Sequence, residues 1–354
     1  MGENREIVYI GSYSSEHGEG LYTFGLDRRS GELSQLFDPI RIENPSYLAL
    51  DPSGRHLYCA LETERLGGRA GGGVASFSVG SGGRLEFLNR QLSCGNDPCY
   101  VSLDGQGRFL TAANYGSGSF SIFPLAEDGS IRPCLRTVVH SGSGPVRGRQ
   151  DVPHMHCTGF TPGGEYLYAV DLGIDRVKFY RVGEGCSTIA PEPSLTIRCR
   201  PGSGPRHLVF RGGTAYVVNE LSSDISVFSL EQGRFRLKQD CPVLPYPGKG
   251  TNAPAALRLS GDGNWLFISN RGDDSIAAFR INGEGLLEPQ WCVPSEGSGP
   301  RDFALDPEEK FLLAADETSG RVAVMAVEPG FRSLSFTGHS ACLHRPSCVL
   351  FQVR

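Results

Sequence analysis

No stretch of this 354-residue chain stays apolar for the roughly 18 residues that a membrane-crossing helix needs. A helical membrane protein is therefore not expected. The first ten residues carry charges where a secretory leader has its apolar segment, so a cytoplasmic location is the expectation. The eleven cysteines include no C-x-x-C and are odd in number, which disfavours a zinc site, a redox dithiol or a disulfide framework. Cys59, Cys157 and Cys348 sit in strand-like stretches and read as reduced core thiols. There is no G-x-S-x-G elbow and no G-x-x-x-x-G-K-[ST] loop, so neither an elbow serine nor a nucleotide cradle is indicated. Helix is scarce as well, because no apolar pattern of 3.6 spacing lasts ten residues between breakers. The net charge of −5 argues against nucleic acid or an anionic membrane as partner. It leaves room for a small anion held by a local arginine cluster.

What the chain has in quantity is turn residues, 47 Gly and 23 Pro, and they recur with a period. Seven prolines, Pro45, Pro98, Pro153, Pro205, Pro254, Pro300 and Pro346, each precede a short apolar stretch, at separations of 53, 55, 52, 49, 46 and 46 residues. A period near fifty marks a radial or solenoid repeat. The unit at residues 255–291 reads as strand, tight turn, strand, loop, strand, tight turn, strand. Four antiparallel strands repeated radially make a β-propeller blade. The last anchor, Pro346, is followed by one strand, Cys348 to Val353, while Ile7–Tyr13 matches a second strand. The expectation is an all-β, seven-bladed propeller of four-stranded blades in one domain, residues 1–354. Its last blade is closed by the N- and C-terminal strands, which leaves no free sheet edge.

In such a blade the first strand is innermost, and its start shares a rim with the end of the second strand. The second strands end in Asn or Asp in five of seven units, among them Asn219 and Asn270, which suggests a loop cap. The residue that follows varies. Blades three to five stand out by presenting His154, His156, Arg206, His207, Glu220, Arg258 and Arg271. Aligned on the prolines, His156 takes a slot that holds Leu48, Val101, Leu208, Leu257, Phe303 and Val349 elsewhere. A hydrogen-bonded core histidine and a catalytic one both fit that slot. Glu220 reads either as the counter-ion of Arg206 and Arg271 or as an acid–base group, and Arg301 with Glu317 as a solvated pair. His154 and His156 alone underligand zinc, so no metal is expected. Gly-Ser-Gly-Pro at 142–145, 202–205 and 297–300 shapes loops and is a weak phosphate signal.

Four motifs together, Gln150-Asp-Val-Pro-His-Met-His, Gly204-Pro-Arg-His-Leu, Tyr216-Val-Val-Asn-Glu-Leu and Leu266-Phe-Ile-Ser-Asn-Arg-Gly, resemble the seven-bladed lactonase family over nearly the whole chain. That family includes propeller-type 6-phosphogluconolactonase and carboxy-muconate cyclase. The resemblance implies metal-independent, cofactor-free hydrolysis of 6-phospho-D-glucono-1,5-lactone to 6-phosphogluconate in the oxidative pentose phosphate route. Matched by motif, the catalytic set is His156, Glu220, Arg206 and Arg271, with His154, His207, Asn219, Asn270 and Arg258 as substrate contacts. Ala256 stands where the family often has Glu. The partner expected is a small anionic sugar lactone, with no nucleic acid or membrane, on a monomer or weak dimer.

The residue types suit that chemistry. Lactone opening needs a water deprotonated near neutral pH, which His or a desolvated Glu does. Arg stabilises the developing oxyanion and grips phosphate through its fork. A lactone-forming cyclase uses the same groups. A non-catalytic propeller that docks proteins is the other alternative, although two tryptophans are few for a WD-type reader or a quinone-stacking propeller.

Overall fold

The computed structural model describes residues 4–247 and 250–352. Val353, the last residue of the expected C-terminal strand, lies outside the described residues, as do the extreme ends of the expected domain. Seven antiparallel sheets of four or five strands account for the fold, an all-β seven-bladed propeller. Among the described residues the only helical segments are four three-residue 3₁₀ turns.

The closing sheet pairs the two ends of the chain. Arg5–Ser12 lies between Glu19–Asp27 and Pro346–Phe351, with Val8 opposite Phe351 and Ile10 opposite Val349. The other sheets meander in chain order, and in one of them the small hairpin of Arg65–Leu66 and Arg69–Ala70 intervenes between His56–Leu61 and Gly73–Val79. Another runs Pro205–Arg211, Thr214–Asn219, Asp224–Glu231, Arg234–Pro242. Second strands such as Phe109–Asn114 and Phe311–Asp316 are buried at every residue. They are covered on both faces and read in sequence as continuous apolar runs. Fourth strands such as Arg234–Pro242 are largely exposed and charged, which blunts an edge that would otherwise pair with another chain.

The chain forms two compact units. The first comprises Met1–Cys59, Ser78–Glu86 and Val243–Arg354; its core packs Val8, Ile10, Phe24 and Leu26 with Phe311, Leu313, Val322, Val349 and Phe351. The second comprises Ala60–Phe77 and Phe87–Pro242; its core packs Val170, Val177 and Phe179 with Leu208, Val217 and Phe228.

A β-bulge recurs one step into the first strands. Pro98 pairs with Asn114, Pro205 with Asn219 and Pro300 with Asp316, and in each case the next residue, Cys99, Arg206 or Arg301, is skipped by the ladder. A bulge inserts one unpaired residue and re-aims its side chain. In the third repeat the residue opposite Asp171 is Met155, and the skipped residue is His156. Alignment on Pro153 is thus displaced by two residues. His156 is the counterpart of Cys99 and Arg206, and Thr158, opposite Ala169, takes the slot of Val101 and Leu208. The expectation that His156 replaces an aliphatic residue is corrected accordingly. Its position is one that every such strand reserves for a re-aimed side chain.

Candidate active site

In the second unit the bulges of adjacent first strands deliver Cys99, His156 and Arg206 to one place. His156 Nδ1 lies 3.7 Å from Cys99 Sγ. The His156 ring meets His207 edge-on, with centroids 5.5 Å apart, and meets Tyr115 in the same way at 5.5 Å. Arg206 Nη1 is 3.1 Å from His207 Nε2, and Tyr100 closes against His207 at 5.1 Å. His156, Arg206 and His207 are all buried.

Glu220 is the first residue after the strand Thr214–Asn219, and its N–H donates to Gly204 O at 2.7 Å. Its two carboxylate oxygens are gripped by two guanidiniums. Arg206 Nε is 3.2 Å from Oε2, and Arg149 Nη2 is 2.5 Å from Oε1. Arg149 also bonds the Tyr115 phenol. Burial pushes the Tyr115 phenol up from its ordinary range, against the pull of Arg149. For Arg149, burial disfavours the charge, and the bonds to Glu220 and Tyr115 outweigh it, so its guanidinium is held above its usual value.

One carboxylate fixes the loops that carry these arginines. Asp175, in the left-handed region at φ 55°, accepts Gly202 N at 2.7 Å, Gly204 N at 2.8 Å and Gln150 Nε2 at 2.7 Å. The Gly-Ser-Gly-Pro stretch at 202–205 therefore has the N–H groups of Gly202 and Gly204 engaged by Asp175 and that of Ser203 by Arg200 O at 3.1 Å, and does not present them as a phosphate cradle. Gly204 is obligatory there, since φ is +62° and a Cβ would meet Leu221 Cγ at 2.4 Å. Gln150 is fully buried and also donates to Leu172 O at 2.8 Å.

His154 is placed by a second buried carboxylate. Its N–H donates to Asp171 Oδ1 at 2.9 Å, and its ring stacks on Tyr115 at 4.4 Å. Asp171 Oδ2 also meets His140 Nδ1 at 2.7 Å, and His140 Nε2 meets the Tyr180 hydroxyl at 2.7 Å. Burial pushes that phenol up to about 12. A chain of fully satisfied polar groups of this kind rigidifies its surroundings.

The structure brings together His154, His156, Arg206, His207 and Glu220. Asn219 belongs to the loop instead: it is fully buried and donates to Asp224 Oδ1 at 2.7 Å and Ser226 Oγ at 2.9 Å. That is the capping role that its recurrence suggests. The remaining expected residues lie in the first unit. Asn270 is fully buried, donating to Ser275 Oγ at 3.3 Å, and Arg271 Nε donates to Ala253 O at 3.1 Å. Arg258 pairs with Asp302 at 2.7 Å. Arg301 and Glu317 form a pair at 3.4 Å, joined by Arg345 at 2.5 Å. Among the described residues no group of three or more His, Cys, Asp or Glu side chains is arranged to hold a metal ion.

Sequence reading passes over Arg149, Tyr115 and His140 as site residues. Arg149 sits in a polar stretch, Arg147-Gly-Arg149, that reads as solvent-facing loop. Its one distinguishing sign is direct precedence of the Gln150 motif.

The family model "Lactonase, 7-bladed beta-propeller" matches residues 7–351. A 6-phosphogluconolactonase of Bacillus subtilis is 36% identical over 98% of each chain. One from Formosa agariphila is 34% identical over 90% of this chain and 91% of its own. The solved structure of a periplasmic gluconolactonase from Pseudomonas aeruginosa superposes with a TM-score of 0.92 at 31% identity, covering 99% of both chains.

Proposed function

The chain belongs to the seven-bladed β-propeller lactonase family, and on that premise we propose that it hydrolyses a sugar lactone, 6-phospho-D-glucono-1,5-lactone, to 6-phosphogluconate. The observation that carries the reading is the convergence of buried His156 and Arg206 with a Glu220 held by two guanidiniums. Both Glu220 oxygens have an arginine on them, so proton abstraction falls to His156. A water attacks the lactone carbonyl carbon as its proton passes to the imidazole. The carbonyl oxygen becomes an oxyanion, and Arg206 supplies the positive charge it needs in a place shielded from water. The ring C–O bond then breaks, and the protonated His156 returns its proton to the leaving alkoxide. Glu220 keeps Arg206 in register for that step. No step of this scheme draws on Arg258, Asn270 or Arg271.

The relation to the Pseudomonas aeruginosa gluconolactonase favours a second substrate, unphosphorylated glucono-1,5-lactone. A titration of acid release from each freshly made lactone, with spontaneous hydrolysis subtracted, tests both. Acceleration of the phosphorylated lactone supports the first reading, and acceleration of the neutral one alone supports the second. No acceleration of either overturns the lactonase assignment.

A further inference from the structure

The two arginines on Glu220 differ in their exposure. The Arg206 side chain is 3% exposed and locked between Glu220 and His207, whereas that of Arg149 is 44% exposed. Arg149 is anchored from behind, because the next residue, Gln150, is fully buried and tied to Leu172 O and Asp175. The backbone of Arg149 is thus fixed while its head remains open to solvent. A guanidinium carries five N–H donors. Among the described residues it bonds Glu220 Oε1 and the Tyr115 phenol, fewer acceptors than it has donors, which leaves some for a ligand.

We infer that Arg149 is the specificity residue of the site, reading a phosphate monoester on the substrate while shielding it from the Glu220 carboxylate. The inference rests on the lactonase reading and adds what distinguishes a charged lactone from a neutral one. Glu220 is negative, and a phosphate monoester brings up to two further negative charges to the same mouth. Without a cation on the open side, like charges face each other in a partly desolvated place. Arg149 offsets that repulsion and offers the planar fork that matches phosphate oxygens. A neutral lactone feels little of this. The contribution of Arg149 therefore scales with substrate charge, whereas a purely structural residue would affect every substrate alike.

The test compares wild type, Arg149→Gln and Arg149→Lys on 6-phosphogluconolactone and on glucono-1,5-lactone. Calorimetric binding of 6-phosphogluconate and of gluconate accompanies the kinetics. A half-exposed loop side chain is replaceable without unfolding, which equal melting temperatures verify. Arg149→Gln is expected to raise KM for the phosphorylated lactone about 10- to 100-fold, the size of a lost charge-assisted hydrogen bond. Because Arg149 also holds Glu220 Oε1, any fall in kcat should be equal on the two lactones, the rise in KM should be confined to the phosphorylated one, and Arg149→Lys should recover part of that rise, since it keeps the charge without the fork. Equal rises in KM on both lactones overturn the inference, as does unchanged binding of 6-phosphogluconate. If wild type opens neither lactone yet binds 6-phosphogluconate in an Arg149-dependent way, the lactonase reading fails and the phosphate assignment stands. If wild type binds no 6-phosphogluconate, the inference fails on its own account.

Discussion

Arg206 Nε lies 3.2 Å from Glu220 Oε2, and both side chains are almost wholly withdrawn from water. A buried pair of this kind is conditional: removing Glu220 takes the counter-charge from the buried Arg206 guanidinium. Breaking one by removing a single partner costs about 3–5 kcal/mol, because a buried charge is left uncompensated.

Glu220→Ala should therefore be both inactive and markedly less stable, with a lower denaturation midpoint. Glu220→Gln keeps hydrogen-bonding atoms near Arg206 and should fold better. Its turnover should still fall, by up to about 10²–10³-fold, the cost of a lost oxyanion donor, since Arg206 loses the charge that aligns it. Wild-type turnover in a folded Glu220→Gln protein would remove Glu220 from the chemistry.

His156→Ala should lower turnover by a similar factor, about 10²–10⁴. The more specific readout is the pH profile. An imidazole is the side chain that ordinarily titrates between about pH 5 and 8, so the variant should lose rate dependence across that window. An unchanged profile would make His156 a packing residue for Tyr115 and His207.

Asp316 offers a test of the fold. It is fully buried at the place where Asn114, Asn219 and Asn270 stand in other repeats. Ser295 Oγ donates to its Oδ1 at 2.7 Å, while Oδ2 has no hydrogen-bond partner among the described residues. Burial pushes its carboxyl up to about 7. The folded state thus keeps a proton that the unfolded chain gives up near pH 4, and stability must fall as pH rises from about 4 through about 7. Asp316→Asn has no charge to bury. Chemical denaturation from pH 4 to 8 should show native protein losing up to a few kcal/mol that the variant does not lose. Parallel curves would place the ionised carboxylate comfortably in the native state.

Deleting Pro346–Phe351 should abolish cooperative unfolding. That strand pairs with Val8–Ser12 and places Val349 and Phe351 in the core beside Phe24 and Phe311. Each such side chain contributes about 1.5–3 kcal/mol when buried, a large part of the 5–15 kcal/mol typical of a whole protein. A truncated protein with a sharp native-like melt would show that the closing strand is dispensable.

The repeat, the strand-and-turn pattern and the pairing of the two ends are all legible in the amino-acid sequence by itself. Proline anchors, Gly- and Asn-bearing turns and short apolar runs act over a few neighbouring residues, so one repeat is enough to display them. His154, Arg206, His207 and Glu220 are legible for the same reason, as polar exceptions to a pattern of known period. Two things are decided only by the tertiary fold. One is the register of the third repeat. A bulge exists only in relation to the partner strand, so the equivalence of His156 with Arg206 is set by the pairing of Met155 with Asp171 and not by Pro153. The other is Arg149. Nothing local marks a loop arginine 71 residues before Glu220 as its partner. The buried amide of Gln150, held by Asp175 and Leu172, ties the loop beside the carboxylate.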